Sequence, residues 1–124
     1  MTARRQAPDL VARTKAYSLA AIRFYSGLPR DAVAGILGRQ FVRSATSVGA
    51  QYREAQRAKS IADFLSKTEG ALQELDETAY WLELIQDSGL DTSAAASHLQ
   101  NETAQLLAIF ATITKKAKLR KLNG

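Results

Sequence analysis

The sequence predicts an all-α protein, an up-down-up-down antiparallel four-helix bundle. Three observations predict it. Four segments carry apolar residues at helical spacing. Capping residues, glycine and proline separate them by a few residues only, which makes successive helices antiparallel neighbours. Two prolines and seven glycines in 124 residues are too few for a loop-rich β protein.

The first segment opens at Pro8-Asp9. Proline suits a helix entrance, and Asp9 is a cap or first-turn acid. Tyr17, Ala21 and Phe24 recur at helical spacing, and Gly27 and Pro29 punctuate the end, with Gly27 expected just past it. The first helix is expected over 9–26.

The second runs from about Arg30 to Ala58. At about 100° per residue, Leu37, Phe41, Val48, Tyr52 and Ala55 share one face. Arg39, Arg43, Arg53 and Arg57 lie opposite. Gly35, Gly38 and Gly49 each cost about 1 kcal/mol relative to alanine, so the helix has places to bend. The apolar phase nonetheless crosses Gly38 without a jump, which predicts one long helix.

Ser60 is expected to cap the amide of Asp63 and start the third helix. Phe64, Leu65, Thr68, Leu72, Leu75, Ala79 and Leu82 hold its apolar stripe to about Asp87, and Gly89 stops it. Near the end Trp81, Leu84 and Ile85 leave that stripe. A helix apolar around most of its girth is buried on more than one side. Tyr80, Trp81, Leu84 and Ile85 are therefore expected to form an oligomer contact. Asp91-Thr92-Ser93 offers caps for the fourth helix, whose core face carries Leu99, Leu106, Phe110 and Ile113. Its end, KKAKLRKLNG, is expected to fray over 117–124, and residues 1–8 are expected to be flexible.

Composition narrows the function. The chain is 46% apolar and 23% charged, as soluble globular domains are, and its length suits one domain. No run approaches the roughly 20 apolar residues of a membrane span, and no secretory signal is visible, so a cytoplasmic protein is expected. Cysteine is absent, which excludes disulfides and thiol chemistry. The one histidine, His98, has Ala95 three residues before it, not the glutamate of a di-metal bundle. The glycines fit neither a Walker loop nor a dinucleotide fingerprint. No metal, cofactor or catalysis is expected.

The charge is uneven. Residues 1–30 carry +5, 31–59 +3, 60–91 −7 and 92–124 +4. The arginines from 39 to 57 span 18 residues, about 27 Å of helix. Guanidinium forks match phosphate oxygens in pairs. Arg39, Arg43, Arg53 and Arg57, with Lys115, Lys116, Lys118, Arg120 and Lys121, are therefore the expected contacts to RNA or DNA. One rival pairs the arginines with Glu69, Asp76, Glu83 and Asp87 of a neighbouring subunit. A second makes the chain a scaffold for another protein such as a polymerase. A third makes 28–58 a DNA-binding helix-turn-helix with its turn at Gly38.

The segment Gly38-Arg39-Gln40-Phe41-Val42-Arg43-Ser44-Ala45-Thr46-Ser47-Val48 resembles the second helix of the bacterial 23S rRNA-intervening-sequence proteins. So do Arg53-Glu54, Arg57, Ser60, Asp63-Phe64-Leu65 and Glu69-Gly70-Ala71-Leu72-Gln73-Glu74-Leu75. The resemblance covers about Leu10 to Gly89. Gly49-Ala50-Gln51 stands where the family usually has Pro-Ser-Asn, and Glu54-Ala55 where it has Glu-Gly. The missing proline lets the second helix run straighter. The resemblance implies an up-down bundle that assembles into a ring, typically a pentamer, with no known catalysis. A related bundle, the accessory variability determinant of diversity-generating retroelements, is similar in architecture. It forms a basic pentameric barrel that works with a reverse transcriptase and nucleic acid.

Overall fold

The structure, a computed structural model, describes residues 9–124. They form four helices, α1 (Leu10–Ser26), α2 (Ala32–Gln56), α3 (Ile61–Asp87) and α4 (Ala94–Asn123), with no strand among the described residues. The flexible N-terminus expected at 1–8 lies outside them.

Each helix starts on an oxygen-bearing cap. Asp9, Asp31, Ser60 and Ser93 accept from the amides of Ala12, Ala34, Asp63 and Ala96. Each cap occupies one of the donors that a helix start leaves free. Gly89 ends α3 in the left-handed region at φ +80, where a side chain would strain the backbone. Gly27 departs from expectation. It caps α1 just past Ser26 but at φ −92, a right-handed conformation and not the left-handed one of a residue beyond the cap.

Two further expectations are corrected. The helix-turn-helix fails, because α2 runs unbroken through Gly38. A Cβ at Gly38 would lie 2.6 Å from the Tyr25 ring, and one at Gly49 would lie 3.2 Å from Thr14 Oγ1. These glycines let α1 approach α2 closely, an advantage that outweighs their intrinsic cost of about 1 kcal/mol each. The tail is helical where it was expected to fray: α4 continues to Asn123, and Gly124 N–H donates to the Arg120 carbonyl. Lysine, arginine, leucine and alanine are good helix formers, and cations suit a helix C-terminus.

α2 packs on α1 and α3, and α4 packs on α3 and, more thinly, on α1. Across the α2–α3 seam Arg43 meets Glu77, Ser44 meets Thr78, Gln51 meets Gly70 and Glu54 meets Lys67. Rising numbers on α2 thus meet falling numbers on α3. Phe41, Val48, Leu75, Leu82, Ile85, Leu106 and Phe110 fill the core with no exposure. Phe24 meets Phe41 edge-on, and Tyr52 meets Phe110 the same way.

One core layer is polar. It takes Tyr17, Ser44, Thr78 and Thr103, one residue from each helix. Thr103 donates to the Leu99 carbonyl, which leaves its oxygen to accept from the Tyr17 hydroxyl. Thr78 bonds Ser44 across the α2–α3 seam at 2.8 Å. Burial pushes the Tyr17 phenol up to about 12, against the opposing pull of Thr103 and Thr78. A buried layer of matched hydroxyls fixes the height of the helices relative to one another.

Candidate nucleic-acid interface

The expected basic residues divide between the two ends of the bundle. Arg39 lies at the end of the α1–α2 connection, in a cleft with Tyr25, Leu28, Arg30 and Asp31. Its guanidinium reaches back to Gly35, where a Cβ would lie 3.1 Å from Nη1. Arg43 sits mid-helix and binds α3, with Glu77 at 2.8 Å and Glu74 at 3.6 Å. Its charge is therefore largely answered within the chain. Arg53 is exposed in the last turn of α2, and Arg57 is its exposed C-cap.

The tail packs at this same end of the bundle. Arg120 and Ala117 line one cleft with Ala55, Ala58, Lys59, Ser60, Ile61 and Phe64. The C-terminal turns of α4 thus pack beside the α2–α3 connection. Lys115, Lys116, Lys118 and Lys121 are exposed within about a turn of that contact. Lys118 is held by Glu69 at 3.4 Å, and Lys67 by Glu54 at 3.2 Å.

This end is strongly positive. Residues 53–70 and 113–124 hold nine lysines and arginines against three acids. At the far end, residues 22–40 and 80–98 hold three basic residues against four acids. The stripe's helix and the tail, which the sequence treats as two separate features, meet at this end of the bundle, where Lys59 and Arg120 line one cleft. Lys59 was missed, because its position in a connection gave it no helical phase to be read by.

The expected oligomer contact also divides. Ile85 is fully buried in its own core and is removed from the contact. A stripe read on one helix cannot see α2 and α4 closing over it. Tyr80 is 54% exposed and leans on Trp81. Trp81 and Leu84 are half-buried, and Trp81 Nε1 has no hydrogen-bond partner.

A groove of about 750 Å³ lies elsewhere, between α1 and α4. Tyr17, Phe24 and Leu99 form its floor, with Arg23 and His98 among its lining residues. Arg13 spans the seam further along and grips Glu102 with two bonds of 2.8 Å, a pairing that raises its pKa. Among the described residues no group of His, Cys, Asp or Glu is arranged to hold a metal ion, and no helix is long and apolar enough to cross a membrane.

Fold and surface together define a class, the four-helix bundles with one polycationic end. Residues 9–112 match the family described as 23S rRNA-intervening sequence protein. The chain belongs to that family. It is also similar to a protein of unknown function from the S23 ribosomal protein family of Bacteroides thetaiotaomicron. The two share 29% identity and superpose with a TM-score of 0.78, over 86% of this chain and 98% of that one. No curated protein matches the chain.

Proposed function

We propose that the chain is a non-enzymatic, cytoplasmic, self-assembling protein that binds nucleic acid through its basic end. In this reading the helices run up, down, up and down, as the opposed numbering across the α2–α3 seam supports. The observation that carries the binding is the seating of the α4 tail beside the α2–α3 connection. It brings Lys59 and Arg120 into one cleft, with Lys115, Lys116 and Lys121 exposed within about a turn of it. Such a surface neutralises phosphates without reading bases. Self-assembly into a ring, a pentamer on the family resemblance, repeats the surface and multiplies weak contacts. The same resemblance supports an accessory role beside an RNA- or reverse-transcriptase-containing complex.

Fluorescence anisotropy with labelled RNA and DNA at two salt concentrations tests the reading. Four phosphate contacts predict an affinity loss of about 50-fold for a single strand to about 150-fold for duplex DNA between roughly 50 and 200 mM salt. Changing Lys115, Lys116, Arg120 and Lys121 to Gln together is expected to abolish binding at the higher salt. No binding at low salt overturns the proposal. A pull-down that then returns a protein and no nucleic acid points to a scaffold.

A further inference from the structure

The outward faces of α2 and α3 carry one pattern in opposite charge. On α2, Arg39, Arg43, Thr46, Ala50, Arg53 and Arg57 follow in alternating steps of four and three residues. On α3, Glu69, Gln73, Asp76, Tyr80, Glu83 and Asp87 follow in the same steps. That spacing keeps residues in line along a helix and is how one helix meets another. Each row spans 18 residue steps, about 27 Å. All members are exposed except Thr46 and Glu69, which are half-buried. Two of the charges, Arg43 and Glu69, have partners within the chain. Arg39, Arg53, Asp76, Glu83 and Asp87 have no ion-pair partner among the described residues.

We propose that the occupant of these faces is a second copy of the chain, with the α2 row of one subunit against the α3 row of the next. The inference rests on the self-assembly reading above and names its interface. Charge selects the pairing, since α2 on α2 would set arginine against arginine. Height selects the register. Within the chain, residues that face each other across α2 and α3 have numbers summing to 120–122, as in Arg43 with Glu77 and Ser44 with Thr78. Copies related by a rotation along the bundle axis stand at one height, so the same sum holds between them. That register sets Arg39 opposite Glu83 of the next copy, and Arg53 opposite Glu69 of the next copy. It brings Tyr80 to within about one residue's rise of Arg43, where a cation over an aromatic face is attracted. Val33 and Ile36, 57% and 56% exposed, flank the α2 row and add apolar area.

The two rows sit on different helices, so each contact uses one and leaves the other free. Such head-to-tail contacts repeat until the rotation closes. Each helix packs only on its two neighbours around the bundle, so α2 and α3 face outward in different directions, as ring closure requires.

Sedimentation velocity on the full chain, without nucleic acid, tests this by charge reversal. The native chain is expected to be a multimer at micromolar concentration. Arg39→Glu and Glu83→Arg are each expected to raise the half-association concentration about tenfold or more. The double variant is expected to return to within about threefold of the native chain. Circular dichroism checks that all three remain helical; because both side chains are exposed, their helicity is expected to match. A multimer indifferent to both reversals overturns the interface and leaves self-assembly standing. A native monomer at micromolar concentration overturns both. Loss in each single variant without recovery in the double overturns the register.

Discussion

On its inward side α2 presents Phe41, Ala45 and Val48, all without exposure, and beside them Gly38 and Gly49 pressed against α1. On its outward side it presents Arg39, Arg53 and Arg57 to solvent, with Arg43 tied to α3. One helical period governs both sides. The inner side is held by volume, where a single methyl group matters. Apart from the Arg43 ion pairs, the outer side is held by nothing inside the subunit, so its composition reflects what it meets outside. The comparison teaches where stability is stored and where function is displayed.

Changes on the inner side should cost most. Phe41→Ala removes a ring that meets Phe24 edge-on, and is expected to cost about 3–5 kcal/mol in urea unfolding. Gly38→Val drives a side chain into Tyr25. It should cost about 1–3 kcal/mol, seen as a lowered Tm. A normal Tm for Gly38→Val would mean that the close approach of α1 and α2 is not a constraint.

The polar layer beneath this face should show itself through pH. The Tyr17 phenol is held up at about 12, above its ordinary value of about 10. The folded state therefore keeps a proton that the unfolded chain releases. Its stabilising contribution is complete below about pH 10 and is lost as pH rises towards 12. Unfolding free energy should fall by roughly 1–3 kcal/mol across that window. Tyr17→Phe should be less stable near neutrality and flatter at alkaline pH. Tyr52, also raised by burial and by Asp9, contributes a residual slope of the same sign. An unchanged alkaline slope in Tyr17→Phe would place the titration elsewhere.

The outer side should barely register in stability. Arg43→Gln breaks two half-exposed ion pairs and should cost less than about 1 kcal/mol, less still in high salt. Arg39→Gln should leave the unfolding midpoint within about 0.5 kcal/mol of the native chain. A large loss from Arg39→Gln would erase the distinction between the two faces.

The elements were legible because their signals are local. The caps at Asp9, Ser60 and Ser93 and the stop at Gly89 each act within a few residues. The α2 stripe was legible because an unbroken phase survives any packing. Ile85 was misread because its burial is supplied by other helices. The fraying expected after residue 117 ignored the α2–α3 connection, against which Ala117 and Arg120 rest.

The sequence by itself determined four helices, their limits to within a few residues, and opposed apolar and basic sides on α2. Periodicity and capping depend only on neighbours in the chain, and these were present in full. Tertiary structure alone decided that Gly38 and Gly49 are points of contact rather than weakness, and that Arg43 is answered by Glu77. It also decided that the tail seats Arg120 beside Lys59 of the α2–α3 connection. Each of these depends on residues more than ten positions apart, whose meeting is set by how the helices pack and by no local preference.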